Sequence, residues 1–78
     1  MSPILALNLI RDGHVQSFRV DHIPGAGWIA ARWSDHEPRQ QKHVMDWHHA
    51  ERILKTFALE IAELHRQGWL RTDLVSAP

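Results

Sequence analysis

Seven histidines dominate the residues that could do chemistry: His14, His22, His36, His43, His48, His49 and His65. Imidazole serves as metal ligand, proton carrier and pH-sensitive charge. A zinc site needs three or four convergent ligands. His48 and His49 are adjacent, so on a helix they diverge by about 100° and do not share one ion comfortably. No His-x-x-x-His pair lies on one helical face, and no cysteine is present to complete a thiolate site. The histidines therefore read first as solvated or interface groups. The alternative is a metal- or pH-responsive accessory protein, because mild acidification would turn the chain basic.

Acid–base and nucleophilic chemistry have less support. Asp35-His36-Glu37 is the one cluster that could hold a proton-transfer pair. The carboxylates Asp46, Glu51, Glu60 and Glu63 are spaced as a solvated helical face. The hydroxyls of Ser2, Ser17, Ser34, Thr56, Thr72 and Ser76 sit in no nucleophile motif, and no glycine-rich phosphate cradle occurs. The expectation is a protein that is not an enzyme and calls for no cofactor and no resident metal.

The elements that would position these groups are legible in part. Leu5, Leu7 and Leu9 share one face of a strand that ends at Asp12-Gly13, a strong hairpin signal. His14 to Ile23 reads as a second strand with Phe18, Val20 and His22 on one face. Pro24-Gly25-Ala26-Gly27 reads as a turn. Trp28 to Trp33 is then a third strand. If Ile29, Ala31 and Trp33 point inward, Trp28 and Arg32 point outward; a slip of one residue exchanges the two sets. Ser34 to Gln41 reads as a polar loop and Lys42 to Met45 as a short fourth strand.

The clearest element is a helix over about 47–67. Asp46 is its expected N-cap. Ala50, Ile53, Leu54, Phe57, Ala58, Ile61 and Leu64 follow the helical apolar period. Glu51 and Lys55 are spaced for an ion pair. Gly68 is the expected stop, with Trp69 packing back on Leu64. Residues 70–78 read as a brief extended piece and a tail. The expected fold is α+β: one domain over 1–78, with a three- to four-stranded antiparallel sheet over about 4–45 packed by one long C-terminal amphipathic helix.

Charge narrows the partners. Nine Lys and Arg balance nine Asp and Glu, and neither half is polarised. A chain with pI near 7 has no overall attraction for phosphate, although charge can still cluster in space. The chain begins with no basic segment followed by an apolar run, and its longest apolar stretch, Ile4 to Leu7, spans four residues. The expectation is therefore a cytoplasmic protein without a signal peptide or membrane span. Four Trp and no Tyr are present. Trp beside Arg is the composition of an interaction hot spot, and it also suits base stacking. The candidate partner-binding residues are Arg19, Trp28, Arg32, His36, Arg39, Lys42 and His43.

The order of elements resembles the WGR domain, a small nucleic-acid-binding module. The likeness runs from about Phe18 to Trp69. It rests on the Trp-ended strand 28–33, a following Gln40 or Gln41, a helix containing Ala50, and Gly68-Trp69 at its end. Where that family has Trp-Gly-Arg, this chain has Trp33-Ser34-Asp35, so the phosphate-binding arginine is replaced by an acid. The resemblance implies a nucleic-acid surface made of Arg19, Arg32, Arg39 and Lys42 converging beside a Trp. In size and type the chain also resembles the small inhibitors of phages and mobile elements, anti-CRISPR proteins among them. That likeness implies docking onto a larger protein complex, with homodimerisation compatible with it through residues such as Leu59.

Overall fold

The computed structural model describes residues 3–72. Four strands run in meander order: β1 (Pro3–Arg11), β2 (His14–Ile23), β3 (Gly27–Ser34) and β4 (Glu37–Val44). Helix α1 (Trp47–Arg66) follows, and a last strand, β5 (Leu70–Thr72), pairs antiparallel with β1. The sheet order is β4-β3-β2-β1-β5. The α+β class is as expected. The sheet has five strands rather than three or four, and the helix is not the last element. The short piece expected after Gly68 is β5; the tail beyond it lies outside the described residues.

Each tight turn has a local cause. Asp12 and Gly13 both have positive φ, 50° and 82°, and join the paired residues Arg11 and His14. That is the two-residue hairpin whose twist matches its strands. Pro24 and Gly25 occupy the centre of the next turn, closed by the Ala26 N–H donating to the Ile23 carbonyl at 2.8 Å. Proline followed by a positive-φ glycine fits a type II turn. Asp35 and His36, at φ 52° and 70°, join the paired Ser34 and Glu37. Ser34 to Gln41 is thus the end of one hairpin strand, a turn and most of another strand, not a loop.

Directly paired residues share a sheet face. Leu7 pairs with Phe18, Leu5 with Val20, and Val20 with Ala30. Leu7, Leu9, Phe18, Val20, Ala30 and Phe57 form one buried cluster, with Ile53, Leu54, Ile61, Leu64 and Trp69 packed against it. Burial of a side chain the size of Phe18 or Leu9 is worth about 1.5–3 kcal/mol. Trp28, Ala30 and Arg32 therefore face α1, and Ile29, Ala31 and Trp33 face away, the reverse of the first alternative above.

Helix α1 begins where Asp46 accepts a hydrogen bond from the His49 N–H at 3.0 Å. It ends in a Schellman motif. The Trp69 N–H donates to the Leu64 carbonyl at 3.0 Å and the Gly68 N–H to that of His65 at 3.1 Å. Gly68, at φ 99°, takes the left-handed position. The apolar stripe is narrower than its period suggests, for Ala58 is exposed. Glu51 and Lys55 form no ion pair, whereas Glu60 turns to the sheet and pairs with Arg32.

Candidate functional site

Three surfaces carry the polar and aromatic side chains. The first is the sheet face opposite α1. Across it the register aligns Trp33, Ser17, Asn8 and Thr72 in one row, and Ala31, Arg19 and Ala6 in the next. Asn8, Ser17, Arg19, Trp33 and His36 line a groove of about 500 Å³ there. Arg19 Nε donates to Asp21 Oδ2 at 2.8 Å, two residues along the same strand.

The second surface is the β4 edge. Every residue from Glu37 to His43 is exposed, and only Val44 is buried. An extra residue at Arg39 bulges the strand where it passes Arg32 and Trp33. Pro38 is tolerable on an edge because it has no amide to contribute to a ladder. Arg39, Lys42 and His43 project from this strand. Among the described residues no carboxylate lies within ion-pair distance of Arg39 or Lys42. The His43 ring is hydrogen-bonded to the Ala26 carbonyl, which fixes its orientation. Where β4 meets α1, a cleft of about 570 Å³ adds His49, Arg52 and Asp46 to Lys42 and His43.

The third is an aromatic row on the helix side. The His22 and Trp28 rings lie 5.0 Å apart and Trp28 and Trp47 5.8 Å apart. Trp28 is half-buried here, while Trp47 stays 44% exposed. Arg32 belongs to the same side. Its guanidinium pairs with Glu60 and sits 5.1 Å from the Phe18 ring centre. It fastens α1 to the sheet.

The candidate residues are thus distributed, not gathered. His36 joins Arg19 at the groove on the open face, Arg39, Lys42 and His43 line the β4 edge, and Trp28 and Arg32 pack beneath the helix. Arg19 and Arg32 lie on opposite faces, so the four basic groups that the WGR likeness would bring together do not form one surface. Asn8 and Ser17, which share the groove with Trp33, were not among the candidate residues; Trp33 entered only through the WGR likeness and the slipped register. The signal for them was the strand register, set by the turn lengths.

Two carboxylates, Asp35 and Asp46, are held by local hydrogen bonds. The Val15 N–H donates to Asp35 Oδ1 at 2.9 Å, and His14 Nδ1 lies 3.0 Å from Oδ2. The Val15 amide, and then His14, hold the Asp35 carboxyl below its ordinary 3.8. The His49 amide does the same for Asp46. Among the described residues no polar side chain is buried, and no three His, Asp or Glu side chains are placed to hold a metal ion. None of the described helices is long and apolar enough to cross a membrane. The chain matches no family model, no curated protein and no solved structure.

Proposed function

We propose that this chain is a non-enzymatic protein-interaction module that docks on an acidic surface of a larger complex through its basic β4 edge. The observation that carries this reading is the pair Arg39 and Lys42: two exposed cations on an exposed edge strand, with no carboxylate within ion-pair distance among the described residues. Uncompensated charge at a rim speeds encounter and selects an oppositely charged partner. His36 at the β3–β4 turn and His43 extend the same edge. A partner that closes over it is blocked by bulk, with no chemistry required. This is the mode of action implied by the likeness to phage and mobile-element inhibitors.

The test is affinity capture from the native cell, with partners identified by mass spectrometry. Wild-type chain should retain a larger complex. The double variant Arg39→Glu, Lys42→Glu should lose it while its thermal unfolding stays within a few degrees of wild type. Equal retention by both chains would remove the β4 edge from the reading. A parallel salt titration with DNA and RNA separates the nucleic-acid alternative, which requires binding at low salt that weakens steeply as salt rises.

A further inference from the structure

Among the described residues nothing covers the sheet face opposite α1. Its composition suits contact more than solvent. Val15, Ile10 and Leu70 align across β2, β1 and β5, with Ile10 42% and Leu70 66% exposed. Trp33 and Ile29 stand on β3 on the same face. Between these apolar ridges lies a low row, Ala6, Arg19 and Ala31. The alanines leave room for another surface to approach Arg19.

The charges on β2 select the occupant. Arg19 and Asp21 point from this face one residue apart and pair with each other at 2.8 Å, their side chains 50% and 23% exposed. The two cancel, so β2 offers no net attraction to an acidic or a basic partner. They are also arranged symmetrically about Val20. A two-fold axis in the plane of the contact, crossing β2 at Val20 and perpendicular to it, exchanges the two positions. We propose that two copies of the chain pair face to face about this axis, each Arg19 meeting the other copy's Asp21. Such an isologous contact is self-complementary. The Arg19–Asp21 bond occupies Nε, leaving the terminal guanidinium nitrogens to bridge the copies. The result is two packed sheets with α1 on each outer side, an arrangement that aligned sheet packing permits.

Area sets the strength. Strand spacing and rise over the rows that overlap about this axis give roughly 350 Å² per copy. The pair therefore buries on the order of 700 Å², the size of a weak, transient contact. The dimer is a weak and reversible one. Both β4 edges remain open in it.

Sedimentation velocity on the purified chain, from low micromolar to several hundred micromolar, tests this. Wild type should pass from monomer to dimer over that range. Arg19→Asp and Asp21→Arg should each weaken self-association at least tenfold, because like charges then face each other. An equimolar mixture of the two variants should restore a heterodimer to within a few-fold of wild type. Ile29→Glu, level with Asp21 and so beside the axis on this face, should dissociate the dimer if either charge variant fails to fold. Arg39→Glu, Lys42→Glu should leave the dimer unchanged, which keeps this result separate from the docking edge. Wild type that stays monomeric throughout overturns the proposal, as does a variant mixture that stays dissociated.

Discussion

Asp35 ties the β3–β4 turn to the start of β2 through the Val15 amide and His14. Both partners favour its ionised form, so its folded value lies below 3.8. A carboxylate held low in the fold contributes stability that is fully present above its unfolded value. That stability is lost as pH falls through the folded one. Asp35→Asn keeps a side chain that tolerates positive φ but cannot titrate. Its thermal midpoint should fall less steeply than wild type between about pH 5 and about pH 2, as followed by circular dichroism. Gly27 decides more. Its φ is 84°, and a Cβ would overlap the Val44 carbonyl on the neighbouring strand. Gly27→Ala should cost about 2–4 kcal/mol in a denaturant titration, combining left-handed strain with a backbone clash. The same residue explains why the facing of β3 was not legible. Counted in the turn, Gly27 leaves a four-residue loop and pairs Val20 with Ala31. Counted in the strand, as observed, it pairs Val20 with Ala30 and sends Trp33 to the open face. Asp12-Gly13 was legible because its residues suit positive φ. Asp35-His36 was not, because histidine is an uncommon second residue in such a turn.

At the scale of elements, α1 and β4 mark the two extremes of what a sequence discloses. The helix carries period, cap and stop in one segment, and each of the three is present. Its apolar stripe is centred on Phe57, which is 3% exposed and meets Phe18 edge to face at 5.2 Å. Phe57→Ala should destabilise the fold by about 3–5 kcal/mol. Leu59, 74% exposed on the opposite side, should change stability by less than about 0.5 kcal/mol when replaced by alanine. Equilibrium urea unfolding of both variants reads that contrast. Strand β4 has no such signature. Seven of its eight residues are exposed, so no apolar alternation is required of it, and Pro38 reads as a loop residue. It is a strand because the Asp35-His36 turn delivers it beside β3. The features that hid it are those that make it serviceable as an edge: charge, proline and a bulge deter pairing with another copy. The site residues on it were therefore found by residue type; the strand was expected only over Lys42 to Met45, which left Arg39 in the loop. Arg32 erred in the other direction. Its type suggested a surface contact, whereas its pairing with Glu60 depends on which face of β3 meets the helix.

At the scale of the molecule, the described residues share one buried cluster, and a fold of this size is marginally stable. Any contact that buries its open sheet face therefore shows in its unfolding. A second copy binds the folded chain and not the unfolded one, so dimerisation adds stability by mass action. For a domain this small, one kcal/mol moves the midpoint by roughly 4–8 °C. Above the dissociation constant, the thermal midpoint of wild type should rise by a few degrees for each tenfold increase in protein concentration. Arg19→Asp should abolish that dependence, since like charges then face each other across the contact. Arg39→Glu, Lys42→Glu should keep the dependence intact. Differential scanning calorimetry over two decades of concentration separates the two surfaces in one measurement. The sheet face governs how stability scales with concentration, and the β4 edge governs only what the folded chain captures. A midpoint independent of concentration in wild type would overturn the face-to-face pair and leave the docking edge untouched.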